Sequence, residues 1–503
     1  MKNKFHTKIL LAASLLIGAS SCEVTDLLPA NIIPDSEAFA SAERTESAVL
    51  GVYEAAQRGF YDNSVQRGYP FGAASFQQGD MRGEDMYNDQ AFYEITYTNA
   101  YNATTANNVW MWNSLYRVIN RANIVMEALD PALSEGVLTQ EERNQYRGEM
   151  LFIRALSHHE LLIHFARPYS DDPSSMGVPY RLFAVNDVGR VPEAEAVSRG
   201  TVGEDYAQLI ADLDEAEQLM GSSDEVFRAT KGAAIALKAR IKLHMEDWQG
   251  VIDEHAKLAG TYAVTSSVSA PFTSGETTDN VFSFQNSAQA NGTVNGALAS
   301  MYGNPDNGAR GLVKISPIIW RASFWHPEDA RRGLTSSSDL GVFTDKYTDA
   351  VTYSDPTPTI RFAEVVLAAA EANARLGRLE EGLALLNSIR DRAVPASASF
   401  KLADFANAEA LVTAVLNERR VELLAEGKRW SDIHRLSGEG RMAGVPAKAT
   451  SRSITGIEFY AEGKAIPLSD PLPYADYKFV WPIPLTEIQN NFSSPLTQNP
   501  GWD

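Results

Sequence analysis

Glu418, Glu422 and Glu426 stand four residues apart in "ERRVELLAEGKRWSDIHR", residues 418 to 435. On a helix that spacing stacks three carboxylates along one face, with Lys428 and Arg429 directly after them. A pair of carboxylates about 5–9 Å apart is what glycoside hydrolysis needs. The same pattern also builds a structural joint, because like charges one helical turn apart repel unless cations intervene. Arg419, Arg420 and Arg429, or arginines on a neighbouring helix, can supply those cations, so the stretch is expected to be an ion-paired joint between packed helices.

Two further stretches invite metal chemistry. In "HHELLIH", residues 158 to 164, His159 and His164 are five apart, whereas two zinc ligands on one helix face require four. A third ligand is missing, so Glu160 and His164 are expected to pair as helix-face neighbours. "GDMRGEDMYND", residues 79 to 89, gathers Asp80, Glu84, Asp85 and Asp89 in an order that is not an EF-hand. A solvated acidic turn is expected there, and no metal site. With no P-loop, dinucleotide fingerprint or G-x-S-x-G motif in the chain, no cofactor is expected.

Aromatic residues carry a different chemistry. From Phe60 to Tyr116, 13 of 57 positions are Phe, Tyr or Trp against 10% in the whole chain, an enrichment that marks the segment out. Trp110, Trp112 and Tyr116 fall at helical spacing and read as core. Tyr97 and Tyr101 lie in the polar "YTNAYNATTANN" and read as surface. Sugar rings stack on aromatic faces, and their hydroxyls take amide, carboxylate and guanidinium partners. Asp80, Arg82 and Asn102 supply those partners, and a second aromatic group, Tyr302, Trp320, Phe324 and Trp325, falls in a loop-rich stretch. A shallow aromatic platform is therefore expected, with Tyr97, Tyr101, Tyr302, Trp320 or Trp325 stacking and Asp80, Arg82 and Asn102 orienting hydroxyls.

The elements that must position these residues are mostly helical. Periodicity predicts helices over 35–59, 104–129, 139–167, 201–219, 229–246 and 249–259, with Thr139 and Glu142 forming a capping box. "TIRFAEVVLAAAEANARLGRLEEGLALLNSIRDRA" places two apolar stripes on either side of Gly377, the layout of a tetratricopeptide-type hairpin. "ATKGAAIALKARIKLHMEDWQGVIDEHAKLA" has a similar layout. Between these hairpins, 261–358 is rich in Ser, Thr, Gly, Asn, Asp and Pro and is expected to be a loop-rich insert with a few short strands. The fold class is thus mainly α, a tetratricopeptide-like helical repeat scaffold.

Bulk composition narrows the setting. The 503 residues carry a formal charge of −20, which repels nucleic acid, and no dense basic patch offsets it. At the amino terminus a basic "MKNKFHTK" precedes the apolar "ILLAASLLIGAS" and the chain's single cysteine, Cys22. The run is too short to span a bilayer and fits a signal peptide over 1–21. Ser20, Ser21 and Cys22 resemble a bacterial lipobox, so Cys22 is expected to be lipidated and 22–34 to form a tether. Removing 1–21 takes away three lysines and leaves −23.

These motifs, in their order, resemble the SusD/RagB family of Bacteroidetes outer-membrane lipoproteins along nearly the whole chain. "WNSLYRVINRAN" and "EMLFIRALSHHELLIHFARPY" fit the two N-terminal helices of that family. The hairpin at 360–393, the glutamate helix at 418–436 and "WPIPLTEIQNNFSSPLTQNPGW" match its C-terminal half. The resemblance implies one SusD-like body over 35–503, with an N-terminal part to about 225, a C-terminal part from about 226, and the insert at about 261–358. It implies four tetratricopeptide-like helix pairs under a loop-rich binding face. It further implies a surface-exposed, lipid-anchored protein of the outer membrane that binds oligosaccharides or, less often, peptides. The implied partner is a SusC-type TonB-dependent transporter, and no bond is broken. A peptide-binding lid of the same transporter type and a surface glycoside hydrolase stand as alternatives.

Overall fold

The computed structural model describes residues 35–59, 67–450, 456–491 and 496–502. The expected signal peptide, Cys22 and the tether lie outside the described residues. Helices of eight or more residues are α1 (Ala42–Arg58), α2 (Ala73–Met81), α3 (Ala106–Ser134), α4 (Gln140–Phe165), α5 (Val202–Leu219) and α6 (Lys231–His244). They continue with α7 (Trp248–Leu258), α8 (Phe362–Arg375), α9 (Leu379–Arg390), α10 (Ala408–Glu422) and α11 (Arg429–Gly438). The chain is mainly α, as expected, with short strands confined to the intervening segments.

Local chemistry sets the helix ends. Thr139 and Glu142 close the capping box that the sequence predicts, and Thr201 and Glu204 close another at the start of α5. The predicted helix over 35–59 is divided: Ser41 adopts an extended conformation and caps Arg44 N, so α1 begins at Ala42 after a separate turn, Asp35–Ala38. α3 runs five residues beyond its expected end at 129, carrying Pro131.

Consecutive helices pack as hairpins, α3 on α4, α6 on α7 and α8 on α9, and α5, α10 and α1 join the stack alongside α4, α8 and α3. In the α8–α9 hairpin Gly377 turns the chain at φ 76°, and Gly382 brings α9 against Ala370 and Ala374 of α8. A side chain at Gly382 would press on that backbone. Across the stack a single apolar core runs from Val49 and Trp112 to Leu411 and Trp481.

Strands pair in four antiparallel twos: Met86–Tyr87 with Lys314–Ile315, Asn280–Phe284 with Thr357–Arg361, Thr335–Ser338 with Gly341–Thr344, and Gly444–Val445 with Leu472–Pro473. Three of these pairs join segments far apart in sequence. The region between α7 and α8 therefore does not lie over the helices as free loops. It builds a second core with the 73–97 segment, rich in aromatic residues: Phe76, Tyr87, Tyr93, Tyr97, Tyr302, Trp325, Tyr347 and Tyr460 are all buried there.

Candidate functional site

The glutamate face of α10 points inward, with Glu418 and Glu422 on the helix and Glu426, unlike the expectation of three on one helix, in the turn beyond its end. Glu418 accepts from Arg331 at 2.6 Å and Arg390 at 3.0 Å. Glu422 accepts from Arg361 at 2.9 Å, Arg331 at 3.1 Å and Arg392 at 2.5 Å, while Glu426 accepts from Arg361 at 2.8 Å and Lys346 at 2.7 Å. All three carboxylates are buried. Burial alone would raise the Glu422 carboxyl, but Arg392, Arg361, Arg331 and Lys346 outweigh it and hold the group well below the usual carboxylate range. A group saturated in this way neither shuttles protons nor meets substrate. The lattice extends outward, with Arg240 on Glu364 at 2.6 Å and Arg435 on Glu371 at 2.7 Å joining α6 and α11 to α8. An ion-paired joint forms as expected, but its cations come from other segments: Arg419, Arg420 and Arg429 pair instead with Asp432, Asp85 and Glu84.

The acidic stretch at 79–89 departs from expectation, because it is neither solvated nor a turn left to itself. Gly79 in α2 sits so close to the Leu423–Gly427 turn that a Cβ would lie 2.0 Å from Gly427 O; Gly427 itself has φ 71°. That approach delivers Glu84 to Arg429 at 2.6 Å and Asp85 to Arg420. Burial pushes the Glu84 carboxyl up, and Arg429 and Arg420 pull it down further, to about 2. Asp89 binds Lys314 at 2.5 Å. Among the described residues no group of His, Cys, Asp and Glu is placed to hold a metal ion. In the histidine stretch His164 pairs with Glu160 at 3.2 Å, His158 stacks on Tyr180 with ring centres 3.7 Å apart, and His159 meets the edge of His244 at 4.9 Å, so the three rings diverge.

The aromatic platform drawn from the sequence is not formed as expected. Tyr97, Tyr101, Tyr302 and Trp325 are buried, as are Asp80 and Arg82. Each finds an internal partner. Tyr97 donates to Ala449 O at 2.7 Å, Tyr101 to Lys478 O and Tyr302 to Asp80 Oδ2 at 2.7 Å. Burial raises the Asp80 carboxyl to about 8 against the hydrogen bond from Tyr302, so it stands protonated at neutral pH. Arg82 lies 3.3 Å over the Trp430 ring and donates to Phe479 O. Trp325 packs edge-on to Trp320 under the guanidinium of Arg332. For Tyr97, Tyr302 and Trp325 the physical reason is that segments without long helices need a core of their own, and large rings supply its volume; Tyr101 joins the main helical core instead. Of the eight residues only Asn102, exposed, and Trp320, half-buried, keep some surface; Asn102 Oδ1 accepts from Thr104, and Arg332 lies over the Trp320 ring.

Rings do reach the surface elsewhere. Phe92 is half-buried at the tip of the 82–97 segment, followed by Tyr93 at φ 64°, a left-handed backbone that a non-glycine residue rarely holds. The base of this segment is drawn together by Lys448, whose buried Nζ donates to Met81 O at 2.7 Å and Tyr97 O at 2.9 Å. The Arg67 guanidinium lies 5.6 Å over Phe92 and 5.1 Å over Trp110, itself half-buried, and Arg310 lies 5.5 Å over Phe92 from an exposed position. Arg310 also donates to Asn295 Oδ1. Trp110, Arg67, Phe92, Arg310 and Asn295 thus form a surface strip that combines ring, guanidinium and amide, the groups a sugar needs. Trp110, read from the sequence as core, does pack against the main core while staying half-buried; Phe92 and Arg310 were passed over. The one available signal was Phe92 in "NDQAF", a ring among polar neighbours.

Two family models match the chain. One described as "SusD family" covers residues 321–502, and one described as "Starch-binding associating with outer membrane" covers 54–243. Two SusD-like proteins of Formosa agariphila are similar: one is 22% identical over 83% of this chain and 88% of its own length, the other 24% identical over 78% and 80%. Among solved structures, a SusD superfamily protein of Bacteroides fragilis is 26% identical with a TM-score of 0.75, covering 91% of this chain and 99% of the other. The surface glycan-binding protein A of Bacteroides thetaiotaomicron, solved in complex with laminarihexaose, is 16% identical with a TM-score of 0.68, covering 91% and 99%.

Proposed function

The chain belongs to the SusD/RagB family, and from that premise we propose that it is a cell-surface glycan-binding lipoprotein that captures oligosaccharide and hands it to a SusC-type TonB-dependent transporter. The observation that carries the glycan reading is the strip of Trp110, Arg67, Phe92, Arg310 and Asn295, which gathers ring, guanidinium and amide groups at the surface of an otherwise helical body. A protein of the same fold was solved holding laminarihexaose, and one of the matching models is described as starch-binding and associated with the outer membrane. Lipidation at Cys22 would supply the anchor.

The chain acts by binding, not by cleaving. The carboxylates of Glu418, Glu422 and Glu426, the ones whose sequence spacing suggested a glycosidase pair, are sealed among arginines and a lysine, with no face open to a glycosidic bond. The deciding experiment is calorimetric titration of the full chain in detergent against a panel of oligosaccharides and of proteolysed protein. Saccharide binding that weakens on Phe92→Ala supports the reading. Binding to peptides alone selects the peptide-lid alternative, and turnover of a labelled glycan selects the hydrolase.

A further inference from the structure

Face-on stacking of a sugar calls for a ring face with no other group laid over it. In the strip a guanidinium lies over each ring, Arg67 over Trp110 and both Arg67 and Arg310 over Phe92. Of the chain's 19 tyrosines, Tyr61 lies outside the described residues. All but one of the others have a hydrogen bond, a ring contact or a cation beside them, from Tyr53 on Glu149 to Tyr477 against Trp502. The exception is Tyr353, which is half-buried and has no such partner among the described residues. Neither its hydroxyl nor its ring faces are taken up by a polar, aromatic or cationic neighbour there.

The loop that carries this ring, 348–355, is locked from within. Asp349 accepts from the backbone N–H of Val351 at 3.1 Å, of Thr352 at 2.8 Å and of Ser354 at 2.9 Å. Asp355 accepts from the N–H of Thr348 at 2.7 Å and of Asp349 at 2.8 Å. Tyr353 is held at φ 60°, a left-handed backbone that a tyrosine keeps only where its surroundings fix it. A ring fixed in this way loses little freedom when a ligand arrives. Val351, two positions earlier and 84% exposed, adds apolar surface to the same loop.

Asn291 ties this loop to the strip, because its Nδ2 donates to Thr352 O at 3.2 Å. Its Oδ1 accepts from Thr293 N, Thr293 O accepts from Gly296 N, and in that turn Asn295 takes the donor from Arg310. Four residues reach at most about 14 Å, so Asn291 and Asn295 stand no further apart than that. The loop and the strip are thus close enough for one oligosaccharide to touch both. We propose that Tyr353 is a sugar-stacking residue, the second contact for an oligosaccharide whose first contact lies at the strip. This rests on the glycan-binding reading and deepens it: Tyr353 sets a preference for saccharides long enough to reach both places.

The test is calorimetric titration of the full chain in detergent with laminaribiose and laminarihexaose, and with the two-unit and six-unit members of every other series in the panel. In the series that binds, the six-unit ligand is expected to bind about tenfold tighter than the two-unit one, because a second contact on a tethered ligand forms at high effective concentration. Tyr353→Asn removes the ring at a backbone conformation that asparagine accepts, so the thermal melt is expected to hold. It is expected to bring the ratio of the two affinities down to about one, whereas Tyr353→Phe keeps the ring and most of the ratio. Phe92→Ala is expected to weaken both lengths. A ratio unchanged by Tyr353→Asn, or equal weakening of both lengths, would overturn the second contact while leaving the glycan reading intact. Loss of the ratio in Tyr353→Phe would overturn stacking in favour of the hydroxyl. No binding by any saccharide in the panel would overturn both readings.

Discussion

Arginine does two different jobs in two regions of this molecule. In the joint around α10, Arg331 and Arg361 are nearly inaccessible and each touches several carboxylates. At the strip, Arg310 is exposed and lies over Phe92 with an amide beside it. The difference teaches how to separate scaffold from site in a helical protein dense with charge. Where every donor meets an internal acceptor, the group is structural; where the donors face outward from an aromatic backing, the group is available to a ligand.

The comparison is broken most directly at Arg361. Arg361→Met leaves Glu422, Glu426 and Asp279 short of a cation in the interior and is expected to cost about 3–5 kcal/mol of stability by chemical denaturation. Ligand affinity of the fraction that remains folded is expected to hold. Glu422→Gln should behave the same way with a smaller shift. Weakened binding at an unchanged melting temperature in either variant would make the joint part of the site.

Acid sharpens the same contrast. Burial pushes His158, His159 and His434 down to about 3, His244 well below its ordinary value, and His164 down despite the pull of Glu160. The unfolded chain takes up protons at these residues from about pH 6.5, whereas the folded chain does not, so stability is full above that pH and falls as pH drops below it. Asp80 at about 8 and Asp205 at about 7 act in the opposite sense, with stability fully present below about 3.8 and lost as pH rises through those values. Burial also lowers His255 and raises Asp85, Glu149, Glu246 and Asp355; four of the six histidine shifts are large and only two of the six carboxyl shifts are, which gives a lower urea midpoint at pH 5 than at pH 7.5, and equal midpoints would refute it.

Smaller effects follow at single rings. Tyr302→Phe removes the donor to buried Asp80 and is expected to cost about 1–3 kcal/mol in a thermal melt without touching ligand affinity. Phe92→Ala should do the reverse, with the melt nearly unmoved and saccharide affinity down about tenfold by calorimetry. If Tyr302→Phe weakens binding as much as Phe92→Ala, the inner aromatic core and the outer strip are one site.

Much of the scaffold was legible in the sequence, because helices announce themselves locally. The stripe before Gly377, the box at Thr139 and the glutamate ladder of α10 each depend on residues a few positions apart. The joint could be foreseen in part for the same reason: Glu418 and Glu422 share one helix face, whereas Glu426 lies past the helix end and the cations, Arg331 and Arg361 among them, come from far away in sequence. The rings were misplaced because their burial is decided at a distance. Tyr97 sits among polar neighbours, yet its hydroxyl partner is Ala449, 352 residues away, and Asp85 meets Arg420 across 335. No window of local sequence carries that information. Phe92 and Tyr93 make the point at closest range: the rings pack edge to face, 4.8 Å between centres, yet Tyr93 is buried in the second core and Phe92 only half-buried at its edge.

The long reach between Glu84 and Arg429 has a consequence for how the protein is made. The segment that presents Phe92 is clamped by residues 345 positions further along. A growing chain therefore carries an unfinished ligand face until nearly all of it has been synthesised. A message cut short before that point would yield helices whose 82–97 segment has nothing to hold it in place.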